Sequence, residues 1–336
     1  MTASTGGPKR IERREALTLR SWGDKPVGPD AHRLPSDVTV DCGWGRLIFA
    51  HTFEDAGHLA DVLRQEEPSK RDIAFYVRDP HVVLAHAPQE LFLDPSHTYR
   101  LWLATHRPPK MRPRGFVVRP LRTKRDAEAC NRIYASRQMA TVDPPSFMYK
   151  QRRSKVLTYL VAEDQDSGEI IGTVTGIDHV EAFNDPEKGS SLWCLAVDPQ
   201  VAHPGVGQAL SVQLAEHFIA RGRAFMDLSV MHDNRQAIAL YEKLGYQRTQ
   251  AFCVKHKNPI NEDLFIGPDA DLDLNPYATI ITNEAKRRGI VVDVLDADMA
   301  VFELSYGGRT MRCRESLSDM TSAVAMTLCD DKVLTH

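Results

Sequence analysis

The stretch 190-SSLWCLAVDPQVAHPGVGQALSVQLAEHF-218 decides how this chain is read. Its first part, ending at Val197, is apolar and short enough for a buried strand. Its last part repeats apolar residues at helical spacing, with Val206, Leu210, Leu214 and Phe218 in register. Between the two stands Gly205-Val206-Gly207. A helix start exposes unpaired N–H groups and the positive end of the backbone dipole, and glycine lets a ligand approach the main chain. A strand, a Gly-x-Gly turn and a helix in that order therefore point to an anion held by backbone. Taken alone, the same turn also serves tight strand–helix packing.

Working outward, the pattern continues on both sides. Upstream, 115-GFVVRPL-121 reads as a strand and "TKRDAEACNRIYASRQM" as a helix opened by Thr123. The runs "VLTYLVAED" and "EIIGTVTGIDHV" read as a hairpin turned at "QDSGE". Downstream, "RAFMDLSV" puts Met226, Leu228 and Val230 on one face of a strand. The next run, "MHDNRQAIALYEKLGY", caps a helix with Asn234 and closes it at Gly245. Tyr241 follows Asn234 by about two helical turns, so the two share a face. That face offers an amide to hold a polar ligand and a phenol to donate a proton. The structural alternative is a helix cap and a half-buried tyrosine.

Together these residues resemble the GNAT N-acetyltransferases. The family's pyrophosphate signature, Gln/Arg-x-x-Gly-x-Gly/Ala, is met by Ala202-His203-Pro204-Gly205-Val206-Gly207, with Ala202 where a basic or amide side chain is usual. His203 and Arg235 are the nearby alternative sources of charge. The family's next motif is present as Asn234, Ala237, Tyr241, Glu242, Gly245 and Tyr246. The resemblance implies an α/β (α+β) GNAT fold with acetyl-CoA as cofactor. His203, Gly205, Val206, Gly207 and Gln208 would hold the pyrophosphate beside Asn234. Leu195, Ala196 and Val197 would pair with the pantetheine as with an added strand, and Tyr241 would protonate the leaving thiolate. The general base is left open. Asp178, His179 and Glu181 stand at the end of the preceding strand and read as solvated loop residues, and Cys194 reads as a buried thiol with no base beside it.

Composition limits the other classes. The formal net charge of −3 gives no global electrostatic case for nucleic acid. No apolar run approaches the ~20 residues of a membrane-spanning helix, and the N-terminal residues lack the apolar core of a signal peptide, so a cytoplasmic protein is expected. The 6 cysteines are scattered without a C-x-x-C pair, which argues for reduced thiols rather than disulfides or zinc.

The 336 residues divide by texture. Residues 1–34 read as a flexible basic arm and 35–104 as a small α+β domain. In the latter, "TFEDAGHLADVLRQ" is a helix capped by Thr52, and "RDIAFYVRD" and "HVVLAHAP" are strands about the turn "RDPH". Residues 105–114 are a Pro-rich linker and 115–260 the acetyltransferase domain. Residues 261–336 hold a helix over 276–288, the strand "IVVDVLD", a hairpin around "YGGR" and a final helix, an incomplete β-α-β opening.

Longer phrases, among them "RDIAFYVRDPHVVLAHAPQELFLDPSHTYRLW" and "KNPINEDLF", resemble the bacterial N-acetylglutaminylglutamine synthetases, which fuse an N-acetyltransferase to an ATP-grasp ligase. This resemblance implies acetylation of glutamine, glutamate or a glutaminyl dipeptide for an osmoprotectant. The tail 261–336 would be the truncated start of the ligase, with ligase activity only in a longer chain. The competing readings are a non-catalytic acyl-CoA-binding or docking module and an acetyltransferase for another amine. Arg119, Arg132, Arg137 and Arg152 are candidate partners for an acceptor carboxylate, with surface charge as the alternative. Oligomeric state is not legible.

Overall fold

The computed structural model describes residues 35–107, 114–201, 203–266 and 274–330. The expected arm at 1–34 and residues 108–113 of the expected linker lie outside them. Three sheets organise the described chain. The largest is a seven-stranded sheet built on β6 (Phe116–Pro120), β7 (Leu157–Asp164), β8 (Ile170–Asp178), β9 (Gly189–Val197) and β10 (Phe225–Met231). β6 to β9 are antiparallel neighbours, and β10 runs parallel to β9.

The rest of that sheet comes from two directions. β10 pairs antiparallel with β5 (Ser96–Trp102), which in turn pairs with β11 (Gln247–Thr249). A five-stranded sheet is completed in the complementary way. Its β1 (Thr39–Asp41), β2 (Arg46–Phe49), β3 (Ile73–Val77) and β4 (Leu91–Leu93) come from the N-terminal region. β12 (Phe252–His256), from the end of the acetyltransferase region, inserts between β3 and β4. The expected boundary between 104 and 115 therefore cuts across both sheets, and among the described residues no sheet crosses 260. The order β1-β2-β3-β12-β4 repeats β8-β9-β10-β5-β11, down to the single parallel pair in each, β2–β3 and β9–β10. The N-terminal region thus repeats part of the acetyltransferase topology, and each half lends one strand to the other.

Buried charge marks both exchanges. Arg100 on β5 donates to Asp227 on β10 at 2.8 and 2.7 Å, and Tyr76 on β3 donates to the same carboxylate at 2.6 Å. Lys255 on β12 donates to Asp94, between β4 and β5, at 2.6 Å. Each pair is buried, so each ion depends on its partner for solvation.

Helices flank the sheets. α1 (Ala56–Arg64) and α2 (Pro80–His86) pack with Leu59, Leu63 and Val83 inward on the five-stranded sheet. "HVVLAHAP" is thus a helix, not a strand. Pro80 at the first position presets its φ, and a single residue of Val82-Val83-Leu84 is fully buried, as a helical period requires. Asp55, not Thr52, caps α1 and accepts from the His58 N–H at 2.6 Å. The Thr52 hydroxyl instead joins Val38 N–H to the Phe49 carbonyl.

α3 (Lys124–Ser136) opens with the expected Thr123, in a capping box with Asp126, and is followed by α4 (Ser146–Gln151). α5 (His179–Phe183), α6 (Val206–Ala220) and α7 (Arg235–Lys243) complete the acetyltransferase unit. Val206, Leu210, Leu214 and Phe218 of α6 all face the core, as their spacing predicts.

The C-terminal unit places α8 (Pro276–Arg287) against an antiparallel sheet. The strands are β13 (Val291–Asp296), β14 (Val301–Tyr306), β15 (Arg309–Arg314) and β16 (Leu317–Ser318). It has a small core of its own around Ala278, Ala285 and Phe302, and a final helix, α9 (Ala323–Asp330). It touches the acetyltransferase unit where Gln236 donates to the Tyr306 hydroxyl at 2.6 Å and Gly308 N–H donates to the Pro199 carbonyl at 3.1 Å.

Candidate acetyl-transfer site

The parallel pair β9–β10 does not stay together. Its register runs from Gly189↔Phe225 to Leu192↔Leu228 and stops, while β9 continues to Val197 and β10 to Met231. The cause lies in β9. Cys194 has φ of 49°, and three steps of β9, from Trp193 to Ala196, oppose two steps of β8, from Thr175 to Thr173. That extra residue is a β-bulge, which bends its strand and breaks the ladder. The two strands splay, and main chain of β9 beyond Leu192 is left without a β10 partner. Leu195, Ala196 and Val197 lie on this segment. The Val197 carbonyl accepts from Arg137 Nε at 2.7 Å.

The Gly turn follows directly. Gly205 has φ of 84°, a left-handed value that favours glycine, and a Cβ added there would meet nothing within 4 Å. No side chain caps α6. The first main-chain bond of the helix is Ala209 N–H to Gly205 C=O, so the N–H groups of Val206, Gly207 and Gln208 have no intrahelical acceptor. At Gly207 an added Cβ would come within 3.7 Å of Leu240 and Val197, so the turn is packed from behind and open in front.

The other expected residues are distributed unequally. Asn234 caps α7 by accepting from Ala237 N–H at 3.1 Å and is exposed, so its amide NH₂ remains for a ligand. Tyr241 is buried in the same cluster as Val206, against which Leu195 and Val197 pack. Burial alone raises its pKa above the ordinary phenol value, which keeps the proton on the oxygen at neutral pH. His203 is turned to the hairpin end, 2.6 Å from the Asp164 carboxylate. Bonds from Ser167 and from His203 hold Asp164 down to about 2. His203 is therefore engaged away from the helix start. Ala202 lies outside the described residues.

None of the three carboxylate or imidazole groups considered as base is free for that work. Asp178 is buried, caps α5 and holds Arg223 at 2.7 Å and Arg221 at 3.1 Å. His179 is buried and shares a 2.9 Å bond with Ser191, whose hydroxyl also accepts from the Trp193 indole at 2.8 Å. Both correct the reading of a solvated loop. Glu181 is exposed and pairs with Arg221 at 3.1 Å. The Cys194 thiol is pushed up to about 12 by burial, as an unreactive thiol should be.

At the splay lies a cavity of about 160 Å³. Trp193 and Cys194 line it from β9, and Ser229 and Met231 from β10. Arg71, Asp94 and Lys255 come to it from the five-stranded sheet and its connections. The four arginines weighed from sequence are elsewhere. Arg119 bonds Asp126 and Glu163, and Arg132 pairs with Asp198. Arg137 holds the Val197 carbonyl, and Arg152 lies over the Tyr149 ring. Arg71, Asp94 and Lys255 carried no motif. Only the strand exchange brings them to β9.

Residues 127–246 match the acetyltransferase (GNAT) family. Similar solved structures include a Drosophila protein, at 16% identity, covering 64% of this chain and 71% of that one, with a TM-score of 0.45. A GCN5-related N-acetyltransferase from Kribbella flavida has 15% identity, covers 67% of this chain and 90% of that one, and gives 0.44. A GCN5-related N-acetyltransferase from Sphaerobacter thermophilus has 19% identity, 56% and 59% coverage, and 0.42. The assignment rests on the family match together with the splay and the Gly turn. The chain carries a GNAT acetyltransferase domain, and it is an acetyltransferase. Among the described residues no helix is long and apolar enough to cross a membrane.

Proposed function

We propose that the protein transfers acetyl from acetyl-CoA to the α-amine of glutamine, glutamate or a glutaminyl dipeptide, the acetylating step of N-acetylglutaminylglutamine synthesis in the cytoplasm. The observation that carries the transfer itself is the splay of β9 from β10, with a helix-start anion site on one side and a small cavity on the other. The amino-acid acceptor is supported by the phrases shared with the synthetases.

In this reading the N–H groups of Val206, Gly207 and Gln208 hold the pyrophosphate, with Asn234 beside them. The edge of β9 at Leu195 to Val197, which has no β10 partner, orients the pantetheine. Bound acetyl-CoA supplies an activated acyl group as a thioester. The acceptor nitrogen forms the new bond to the acyl carbon, the C–S bond breaks, and Tyr241 gives its proton to the departing sulfur. The ammonium loses two protons to solvent, and one returns to the Tyr241 oxygen, so the cycle releases one proton. Much of the rate comes from holding the two partners at contact distance in a small space that excludes water.

The test is acetyl-CoA consumption with glutamine, glutamate and Gln-Gln, run beside Tyr241→Phe. The variant keeps the ring in its core, so thermal stability should change little while kcat falls ~10²-fold, the usual effect of losing a positioned acid. Unchanged turnover in the variant removes Tyr241 from the chemistry. No transfer to any of the three amines removes the acceptor assignment.

A further inference from the structure

The cavity at the splay has two cationic side chains in its wall, and they differ in what they hold. Lys255 is bonded to Asp94 at 2.6 Å and is neutralised there. Arg71 has no carboxylate within 4 Å among the described residues. One terminal nitrogen donates to the Ile260 carbonyl, and its Nε is buried with no hydrogen-bond partner. The acidic groups that act on it from further off are already committed. Asp94 is taken by Lys255, and Glu66 accepts from the Asp72 N–H and from Asn258. A buried donor left unmade on a charged group is costly, and the cost is lifted when an acceptor arrives. The planar guanidinium fork matches a carboxylate in both spacing and charge.

The main chain that carries Arg71 is held in place. Arg71 stands one residue before the buried Asp72 and two before β3, and its own N–H donates to the Trp44 carbonyl at 2.9 Å. Trp193 and Cys194, at the bulge beside the segment expected to hold the pantetheine, line the same cavity. A small acceptor held by Arg71 would thus lie in a cavity that β9 also lines.

We infer that Arg71, supplied by the N-terminal half, is the residue that binds the carboxylate of the acceptor, so that one half of the molecule presents the acyl donor and the other selects the acceptor. This rests on the acetyl-transfer reading above for the identity of the site. The ligand class is a small amine bearing a free carboxylate, and the carboxylate is what the site discriminates.

The experiment compares glutamine with glutaminamide, which lacks the carboxylate, in the full chain and in Arg71→Met and Arg71→Lys. Binding is read by calorimetry and acetyl transfer by initial rates. The wild type should bind glutamine at least ~10-fold more tightly than glutaminamide, consistent with a charged hydrogen bond in a partly buried site. Arg71→Met should erase that preference by raising the glutamine Kd and KM, with kcat and the acetyl-CoA KM within about twofold of wild type. Arg71→Lys should restore part of the preference, because it keeps the charge and loses the fork. A wild type that binds both compounds alike overturns the inference, as does an Arg71→Met protein that still prefers glutamine. Carboxylate-dependent binding without any acetyl transfer would leave Arg71's role standing and sink the transferase reading. Acetyl transfer indifferent to Arg71 would do the reverse.

Discussion

The two exchanged halves follow one topology and differ in what they do with it. In the N-terminal half, the parallel pair β2–β3 stays in register from Leu47↔Ile73 to Phe49↔Phe75, and the helix joining the two strands starts at Asp55, whose carboxylate already fills the cap. In the acetyltransferase half, β9 bulges at Cys194, parts from β10 after Leu192, and leads into a helix start capped by nothing. The Asp55 carboxylate occupies the His58 N–H, one of those a phosphate would need, and repels its charge. The two features that the proposed anion site needs, diverging strands and an empty cap, thus occur in one half of the repeated topology. The half without those two features contributes its strand β5 and one wall of the cavity.

The comparison breaks first if the halves are separable. Asp227→Asn keeps the shape but removes the carboxylate that pairs with the buried Arg100, beside Phe225, and accepts from Tyr76. The expected loss is ~3–5 kcal/mol of unfolding free energy in urea, as a single transition reported equally by both halves. Two separate transitions would show that strand exchange does not couple them.

Acid should attack the N-terminal half next. Burial lowers His51 from 6.5 to about 4, with His179 and Arg100 adding to the effect and Asp185 opposing it. The unfolded chain takes up this proton near its ordinary pKa and the folded one does not, so stability is present above about pH 6.5 and is lost as pH falls towards 4. The loss by pH 4 should reach ~3 kcal/mol, since each pH unit between the unfolded and folded values is worth ~1.4 kcal/mol. His51→Phe, which suits neighbours Phe49, Tyr76 and Phe183, should flatten that slope in denaturant melts taken at successive pH values. A slope that survives the substitution assigns the proton elsewhere.

A third substitution makes the competent turn imitate the idle one. Gly205→Asp places a carboxylate at the start of α6, as Asp55 does at α1, at a position whose φ favours glycine. CoA binding measured by calorimetry should weaken by ~2 kcal/mol, from like charge and lost main-chain bonds together. Equal affinity in a folded variant would separate the turn from the cofactor.

Much of this molecule was legible before any coordinates. The apolar spacing of Val206, Leu210, Leu214 and Phe218 placed α6, the Asn234–Gly245 run placed α7, and Gly205 marked the turn, because each signal is local and sits within one or two helical turns. Local signals also misled. Val82-Val83-Leu84 reads as strand until Pro80 is seen to open a helix, and Asp178 reads as solvent-facing until the arginines at 221 and 223 close on it. What the chain alone determined was the acetyltransferase signature and the local elements that carry it, the Gly turn and the helices α6 and α7. The tertiary structure decided which strand belongs to which sheet, and so which side chains line the cavity. Arg71, Asp94 and Lys255 stand far from β9 in sequence and meet it only because β5 and β12 trade places, a choice made by long-range pairing and buried charge that no short window of sequence encodes.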